Sequence, residues 1–437
     1  MIKMQLKYKI LKQCEDAKLA SIRLASAKTN IKNKALIEMA GAIRKNKDKI
    51  LAANKKDIEN AEKTNLSQSL LKRLKLDNVK INEIIAGVKS VAKLEDPVGK
   101  TLSITELDKG LVLHKVTVPI GVIGAIFESR PDALVQIASL CLKSGNAVIL
   151  KGGSEAENSS KALFGIIKSV SEKYLPKGCI QLISTREEVK EILKMDKFIS
   201  LLVPRGSNKF VKYIQENTKI PVLGHSEGIC HVYIDKDADL KMAMDISFDA
   251  KCQYPAVCNA METLLVHKAI AKRFLPLMEK KFKEADVELR GCPETQKILK
   301  NIKEAAEEDW KTEYSDLILS VKTVKDIDEA IAHINKYGSG HTDAIVTKNK
   351  KTADKFLTLV DSSSVMVNCS TRFSDGFRYG FGAEVGISTN KIHARGPVGL
   401  EGLVIYKYKL FGKGHIVAEY TGKKAKKFVH RVIKDDR

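Results

Sequence analysis

The sequence predicts an α/β protein with two domains, each built on a largely parallel β-sheet. Short β-branched runs alternate with helical patterns along most of the chain, which is the pattern of strands joined by crossover helices. A long, charged, helical stretch separates an earlier series of these runs from a later one, so we expect two such sheets. The 437 residues, of which 44% are apolar and 29% charged, are enough for two or three globular domains.

The first predicted elements are helices followed by a strand. Residues 30–64 are amphipathic, because one helical face collects Leu36, Met39, Ala40 and Ile43. The stretch LVLHKVTV then alternates apolar and polar side chains, and this alternation predicts an edge or projecting strand at residues 111–118.

A βαβ unit is predicted over residues 121–153. Its strands are GVIGAIFES and NAVILKGG, two compact apolar runs that end in polar or glycine residues, as buried parallel strands do. The helix between them begins at Pro131 and stops at Gly145. Later strands are predicted within KFISLLVPRGSNKF, PVLG, ICHVYID, DLILSVKTV, TDAIVT and SSVMVN.

The formal net charge of +22 would suit a polyanionic partner, but its distribution argues against nucleic acid. Lysines are spread through nearly every segment, and the one dense run, GKKAKKFVHRVIK, lacks the interleaved aromatic platform of single-strand binders. We therefore expect no nucleic-acid partner and a positive field that attracts small anionic substrates.

Membrane and metal sites are not expected either. No stretch approaches the roughly eighteen continuous apolar residues of a membrane span, and the first twenty residues lack the apolar core of a signal peptide. The eight cysteines are scattered, without a CxxC pair or a Cys/His cluster at zinc spacing. These features predict free thiols, a cytoplasmic location and no metal site.

Two loops have the composition of phosphate-binding turns. KGGSEAENSSKAL follows a strand and supplies Lys151, Gly152, Gly153 and Ser154 before a helix whose N-terminal amides would point toward an anion. LLVPRGSNKF repeats this arrangement with Arg205 and Gly206. The alternative in both places is an ordinary tight turn.

Cys258 is the candidate reactive residue of the chain. It lies in QYPAVCNAMETLLV, after a Pro-Ala step and before an apolar run. A cysteine in that setting is either a core residue or a nucleophile, and the stretch alone does not decide between them.

Four long stretches carry a resemblance to a known family: VPIGVIGAIFESRPDALVQIASLCLKSGNAVILKGGSEA, DAKCQYPAVCNAMETLLVH, NKYGSGHTDAIVT and VNCSTRFSDGFRYGFGAEVGISTNKIHARGPVGLEGL. They resemble the gamma-glutamyl phosphate reductases, a divergent branch of the aldehyde dehydrogenase superfamily, over all but the basic tail beyond about Gly422. The resemblance implies an aldehyde dehydrogenase-like fold with two Rossmann-like domains and a β-strand oligomerisation arm. It assigns residues 1–104 and 119–228 to an NADPH-binding domain, 229–372 to a catalytic domain, and 105–118 and 373–437 to the arm and C-terminal return.

The resemblance also implies a reaction. Cys258 would attack L-glutamyl 5-phosphate, and the resulting thioester would be reduced by NADPH to L-glutamate 5-semialdehyde, the second step of proline biosynthesis from glutamate. Asn259 and the backbone amides around the thiol would stabilise the oxyanion. Cys252, six residues earlier, is interpreted as structural.

Cofactor contacts follow by the same comparison. Lys151 would meet the adenosine ribose and the 2'-phosphate of NADPH. Glu313, in TEYSDLILSVK, would hydrogen-bond the nicotinamide ribose, unless it is a surface glutamate that opens a strand. The loop from Pro204 through Arg205 and Gly206 to Ser207 would flank the pyrophosphate.

Substrate contacts are predicted at two places. Ser370, Thr371 and Arg372 occupy the position of the superfamily loop that holds the far end of the substrate, and Arg130, in FESRPD, suits a phosphate or a carboxylate. Either arginine has a structural ion pair as its alternative.

One departure from the superfamily concerns hydrolysis. Hydrolytic aldehyde dehydrogenases carry a water-activating glutamate in an ELGG segment, whereas this chain reads PVLGHSEG with Val222 at that position. An NAD-dependent aldehyde oxidiser would need that glutamate, and Glu227 is not in its register. The resemblance further implies a homo-oligomer, a dimer or dimer of dimers, and a separate glutamate 5-kinase as a candidate partner.

Overall fold

The computed structural model describes residues 2–433. The chain opens with five helices: α1 (Ile2–Leu24), α2 (Thr29–Lys45), α3 (Lys47–Lys63), α4 (Gln68–Leu74) and α5 (Asn78–Lys93). The predicted helical stretch at residues 30–64 is therefore two helices, α2 and α3, which meet at Asn46. The four residues of the predicted apolar face, from Leu36 to Ile43, are all fully buried.

Two antiparallel strands follow, β1 (Thr101–Asp108) and β2 (Leu111–Pro119), joined by a tight turn. Strand β2 contains the predicted alternating stretch. Strand β1 begins a few residues before the arm boundary implied by the resemblance. The domain boundaries themselves remain a prediction.

The first parallel sheet has the strand order β5-β4-β3-β6. Its elements in chain order are β3 (Val122–Phe127), α6 (Pro131–Lys143), β4 (Ala147–Lys151), α7 (Glu157–Ser171), β5 (Ile180–Ile183), α8 (Arg186–Ile192), β6 (Leu201–Arg205) and α9 (Asn208–Glu216). Pro131 stands in the first turn of α6, where its missing N–H costs no helical hydrogen bond. The predicted βαβ unit is confirmed.

The second parallel sheet has seven strands in the order β10-β9-β11-β8-β7-β12-β13. Its elements are β7 (Cys230–Ile234), α10 (Leu240–Cys252), β8 (Met261–His267), α11 (Lys268–Lys283), β9 (Glu288–Gly291), α12 (Pro293–Gln296), β10 (Lys303–Glu304), β11 (Ile318–Val324), α13 (Ile327–Tyr337), β12 (Thr342–Val346), α14 (Lys350–Leu359) and β13 (Ser364–Val367). Each sheet has its own apolar core, as the two series of strands predicted.

The C-terminal part returns to the first pair of strands. A short hairpin, β14 (Gly386–Ser388) with β15 (Gly396–Val398), precedes β16 (Val404–Phe411) and β17 (Arg431–Ile433). Strands β16 and β17 flank the first pair in an antiparallel sheet of order β16-β2-β1-β17. The α/β class, with two parallel sheets and an antiparallel arm, is thus confirmed. Within residues 2–433, no helix is long and apolar enough to cross a membrane.

Candidate active site

Cys258 lies in the loop that joins α10 to β8, at the wall of a cavity of about 630 Å³. The cavity is lined from both parallel-sheet regions. Residues 128–130 follow β3, and residues 204–208 span the end of β6 and the start of α9. These loops stand at the carboxyl ends of strands in the first sheet, the usual position of ligand sites in parallel sheets, whereas Cys258 stands at the amino end of β8 in the second sheet. The half-buried thiol therefore faces a cleft rather than a core.

Two histidines stand beside the thiol. One ring nitrogen of His225, one of His341 and the Sγ of Cys258 all lie within 4.8 Å of one another. The Nδ1 of His225 is 3.0 Å from the carbonyl oxygen of Ile387, which can only accept, so this nitrogen carries the proton. Burial lowers the pKa of His225, so its imidazole is neutral at neutral pH and Nε2 keeps a free lone pair.

A close backbone approach holds the Cys258 loop in place. Gly228 packs against Cys258 so tightly that a Cβ added to it would lie 2.5 Å from the Cα and 2.7 Å from the carbonyl carbon of Cys258. The Sγ of Cys230, at the start of β7, donates to the carbonyl oxygen of Cys258 at 3.2 Å. The position of the thiol is therefore determined by the segment that enters β7.

Three arginines lie near the Cys258 thiol. Burial lowers the pKa of Arg205, and the charges of Glu384 and Cys258 partly offset that effect. Burial also lowers the pKa of Arg372, again partly offset by Cys258. The Nη1 of Arg205 is buried without a hydrogen-bond partner among the described residues. Arg130 lines the same cavity. These three guanidinium groups suit an anionic ligand.

Four carboxylates line the cavity as well: Glu128, Glu155, Glu313 and Glu384. Burial raises the pKa of Glu384, which accepts a hydrogen bond from the amide of Gly376 at 2.8 Å. Glu313 accepts from the amide of Gly228 at 2.9 Å and from Nδ2 of Asn208 at 2.8 Å. Glu313 is therefore a cavity residue in the loop before β11 rather than a residue that opens that strand.

A buried ion pair supports the Glu313 loop from behind. Lys251 and Glu262 are both fully buried, and their charged atoms are 2.6 Å apart. The second oxygen of Glu262 accepts from the amide of Ser315 at 3.1 Å. Burial raises the pKa of Glu262, and the contact with Lys251 opposes that rise. The pair thus connects the end of α10, strand β8 and the loop that carries Glu313.

Lys151 lines a second cavity, of about 580 Å³, together with Gly153, Ser154 and Arg186. Glu128 and Glu155 line both cavities, so the two spaces adjoin. Burial lowers the pKa of Lys151, and the nearby charge of Arg186 lowers it further. The cationic side chains of Lys151 and Arg186 and the hydroxyl of Ser154 therefore lie together, where the loop after β4 meets the start of α8.

The prediction that the amides of the following helix point toward an anionic ligand is wrong. The carboxylate of Asp57, from α3, accepts from the amides of Asn158 at 3.0 Å and Ser159 at 2.7 Å, in the first turn of α7. Asp57 is 2% exposed and also accepts from the side chains of the same two residues. A carboxylate of the protein itself therefore occupies the end of the helix, which leaves side chains to bind a phosphate.

The other predicted substrate and oxyanion residues are more deeply placed. Asn259 is buried, and its Nδ2 donates to the carbonyl oxygen of Ser374 at 2.8 Å. Ser370 caps a 3₁₀ turn by accepting from the amide of Arg372, and the Nε of Arg372 donates to Gln253 at 2.9 Å. Thr371 is fully buried. None of these four predicted residues is among the lining residues of the large cavity, although Arg372 lies within electrostatic range of Cys258.

Known proteins match this chain over nearly its whole length. The model described as "Aldehyde dehydrogenase family" matches residues 8–297 and 297–384. A gamma-glutamyl phosphate reductase of Pelotomaculum thermopropionicum is 60% identical over 420 residues, 96% of each chain. The crystal structure of gamma-glutamyl phosphate reductase from Thermotoga maritima superposes with a TM-score of 0.91 at 42% identity, covering 93% of this chain and 99% of that one.

The chain belongs to the gamma-glutamyl phosphate reductases of the aldehyde dehydrogenase family. The resemblance that the sequence motifs predicted is confirmed, and the protein is an oxidoreductase of a family that uses a nicotinamide cofactor. More distant members share the fold. Glyceraldehyde-3-phosphate dehydrogenase GapN from Methanocaldococcus jannaschii, complexed with NADP, has a TM-score of 0.65 at 16% identity, over 93% of this chain and 95% of that one.

Val222, the residue at the position of the hydrolytic glutamate, belongs to the apolar core. It is 9% exposed, it pairs with Leu202 as an isolated parallel bridge, and it packs with the cluster that includes Ile126 and Ile214. Glu227 is exposed and is not among the residues that line the cavity. His225, three residues after Val222, is the member of PVLGHSEG that lines it.

Several residues of the candidate site were not singled out from the sequence: His225, His341, Gly228, Glu384 and Arg186. His225 and Gly228 lie in the PVLGHSEG segment that had been compared only for its missing glutamate, and His341 and Glu384 lie inside two of the quoted family stretches. Their presence in those stretches was the one available signal. Arg186, in an ordinary STREEV helix start, carried none.

Proposed function

We propose that this protein reduces L-glutamyl 5-phosphate to L-glutamate 5-semialdehyde and phosphate with NADPH, as the second step of proline biosynthesis from glutamate. The observation that carries this proposal is the position of Cys258, a half-buried thiol in a cavity that three arginines line or approach. An acyl phosphate brings a leaving group with negative charge, and guanidinium groups bind such groups in a bidentate manner.

The chemistry divides into two steps at one sulfur. The Cys258 thiolate attacks the acyl carbon, the carbon–oxygen bond to phosphate breaks, and a thioester remains on the enzyme. NADPH, when bound, would supply hydride to the thioester carbon. The resulting thiohemiacetal anion would take up a proton as its carbon–sulfur bond breaks, which gives the aldehyde and the free thiol. Sulfur suits both halves because it is a strong nucleophile and a good leaving group.

The oxyanion that forms in both steps needs hydrogen-bond donors beside Cys258. The side-chain amide of Asn259 already donates to Ser374. Among the described residues, no acceptor engages the backbone amides of Cys258 and Asn259. We therefore assign stabilisation of the oxyanion chiefly to these two amides, because they belong to the cysteine and to the residue that follows it.

The cofactor would extend across both cavities. Lys151, Gly153 and Ser154 line the second cavity and, with the buried Gly152 between them, would bind the adenosine end. The loop from Pro204 to Ser207 lines the large cavity and would flank the pyrophosphate. Glu313 is held by Gly228, the residue that packs on Cys258, so a ribose bound by Glu313 would bring the nicotinamide close to the thioester. This arrangement supports NADPH as the hydride donor.

The test is the reverse reaction, reduction of NADP by glutamate semialdehyde in the presence of phosphate. Cys258→Ser should abolish turnover and leave NADPH binding nearly intact, because the thiol forms the covalent intermediate without holding the cofactor. Cys252→Ser is the matched control, since Cys252 lies at the end of α10 outside the cavity lining. Activity of Cys258→Ser within about tenfold of the parent, a loss of no more than ~1.4 kcal/mol, would remove the thiol from the mechanism.

Dependence on phosphate distinguishes a reductase of acyl phosphate from a hydrolytic aldehyde dehydrogenase. Val222 is a core residue and Glu227 is exposed, so neither activates water at the thioester. Semialdehyde oxidation should therefore rise steeply with added phosphate. Rapid, phosphate-independent release of glutamate would instead assign the protein to the hydrolytic class.

We also propose that the protein is a dimer or dimer of dimers in the cytoplasm, and that a separate glutamate 5-kinase supplies its substrate. Strand β16 forms one edge of the antiparallel sheet, and seven of its eight residues are exposed, among them Tyr408, Leu410 and Phe411. Exposed apolar edge strands are normally covered by a partner. All eight cysteines are free thiols, which suits a reducing compartment. A monomeric mass by light scattering at micromolar concentration would contradict the oligomer.

A further inference from the structure

Three potential metal ligands meet at the nucleophile, although their positions in the sequence lie far apart. Cys258 is in the loop before β8, His225 is in the loop before β7, and His341 lies just before β12. Their ligand atoms, one thiol sulfur and two imidazole nitrogens, are mutually within 4.8 Å. In a tetrahedral zinc site, ligand bonds of about 2.0–2.3 Å place neighbouring ligand atoms somewhat closer than this, so the three side chains would draw together on binding.

The His225 imidazole is oriented as that of a metal-ligating histidine usually is. A ligating histidine normally donates its other N–H to a carbonyl or carboxylate, which orients the ring. His225 does so through Nδ1 to the carbonyl of Ile387 at 3.0 Å, so Nε2 is the nitrogen with a lone pair.

His341 provides an independent observation. Its side chain is fully buried, and its Nδ1 lies 2.8 Å from Oγ1 of Thr342. Its Nε2 is buried and has no hydrogen-bond partner in the described part of the chain. A buried polar atom without a partner costs free energy unless something binds it. The rings of His225 and His341 meet edge to face at 4.9 Å, so the two histidines form one unit.

We infer that Cys258, His225 and His341 form a binding site for a thiophilic divalent cation such as Zn²⁺. One sulfur and two imidazoles suit zinc or cobalt and do not suit Mg²⁺ or Ca²⁺, which prefer oxygen ligands. Binding releases the thiol proton: Cys258–SH and M²⁺ give Cys258–S–M⁺ and H⁺. The fourth position opens onto the cavity and takes water.

Neighbouring charges limit the affinity of this site. Glu313, Glu384 and Arg205 line the same cavity as His225 and Cys258. Arg372 also lies within electrostatic range of Cys258. The arginines repel a cation and the carboxylates attract it. We therefore expect reversible binding that a chelator removes, rather than a permanent structural metal.

Occupation of the site would inhibit the enzyme, because the sulfur lone pair that attacks the acyl carbon would be bound to metal. This consequence rests on the proposed function, whereas the binding itself does not. Zn²⁺ should act as a reversible inhibitor that competes with the acyl substrate. Mg²⁺ at the same concentration should have no such effect.

Cobalt absorption tests the site without an activity assay. Tag-free protein, reduced and stripped with a chelator, is titrated with Co²⁺. One equivalent should produce a thiolate-to-cobalt charge-transfer band in the near ultraviolet and the strong visible bands of four-coordinate cobalt, and Zn²⁺ should displace both. Cys258→Ser should lose the charge-transfer band, while Cys252→Ser should retain it.

The histidine variants separate a three-ligand site from a metal held by the thiol alone. Loss of a partner that only orients a ligand weakens metal binding by about 10–100-fold, so His225→Gln, which removes a ligand, should weaken Co²⁺ at least as much. His341→Gln should do the same, with circular dichroism to show that this buried substitution leaves the fold intact. A charge-transfer band that persists in Cys258→Ser, or unchanged affinity in folded His225→Gln, would overturn the inference.

The outcomes also distinguish this inference from the proposed function. A cobalt site in a protein that lacks the reductase activity would leave the metal inference standing and remove the proposed reaction. An active enzyme that shows no charge-transfer band at any Co²⁺ concentration would leave the proposed reaction standing and remove the metal inference.

Discussion

Gly228→Ala is the substitution that best tests how the nucleophile is positioned. A methyl group at residue 228 would lie on the backbone of Cys258, 2.5 Å from its Cα and 2.7 Å from its carbonyl carbon. Ordinary contacts begin at 3.4 Å, so one of the two backbones must move by about 1 Å. Neither neighbouring atom belongs to a flexible side chain that could move aside.

The expected loss follows from that displacement. A misplacement of about 1 Å at a reacting group costs on the order of 10²-fold in rate, or roughly 2.7 kcal/mol of transition-state stabilisation. The amide of Gly228 also donates to Glu313, so the same movement disturbs the residue assigned to the nicotinamide ribose. Overpacking should destabilise the fold by only about 1–3 kcal/mol, which leaves the variant folded at room temperature.

The assay is kcat/KM for phosphate-dependent reduction of NADP by the semialdehyde, with the fold checked by thermal unfolding. Gly224→Ala is the matched control in the same segment, because its added Cβ would meet Pro204 Cγ at an ordinary 3.4 Å. We expect the control to stay within a few-fold of the parent. A Gly228→Ala enzyme with unchanged kcat/KM would refute the idea that this contact positions the thiol.

Three further substitutions test other parts of the structure. Lys151→Ala should raise the dissociation constant of NADPH about 10–100-fold, because a charged hydrogen bond contributes ~1.5–3 kcal/mol, and it should raise that of NADH much less. Lys161→Ala, on the exposed face of α7, is the control. An equal loss of affinity for both cofactors would show that Lys151 contacts only the ribose that they share. Lys251→Met should lower the free energy of unfolding in urea by about 3–5 kcal/mol, because it leaves a buried carboxylate unpaired, whereas Lys251→Met combined with Glu262→Leu should recover most of that loss. Asp57→Ala should cost about 1.5–3 kcal/mol by the same measurement, since it leaves the amides of the first turn of α7 without an acceptor, and an unchanged midpoint would show that water replaces the carboxylate.

The sequence by itself determined the features that depend on local pattern. Alternation of short β-branched runs with amphipathic helices predicted parallel sheets, because the spacing of apolar residues reports which face of each element is buried. The stretch around Cys258 predicted a nucleophile only through its likeness to a family, since one cysteine before an apolar run is ambiguous by composition. The positions of Lys151, Arg205 and Glu313 at strand ends and loops also followed from pattern and likeness together.

Only the tertiary structure decided which side chains come together in one site. His225 and His341 are more than one hundred residues apart, yet the parallel order of β7 and β12 brings both to Cys258. The helix start after Lys151 looked like an anion site, and its amides proved to be taken by Asp57, roughly a hundred residues earlier. The reason is physical: local periodicity records burial along one element, whereas hydrogen bonds, charge and close packing depend on neighbours that the order of strands in the sheet selects.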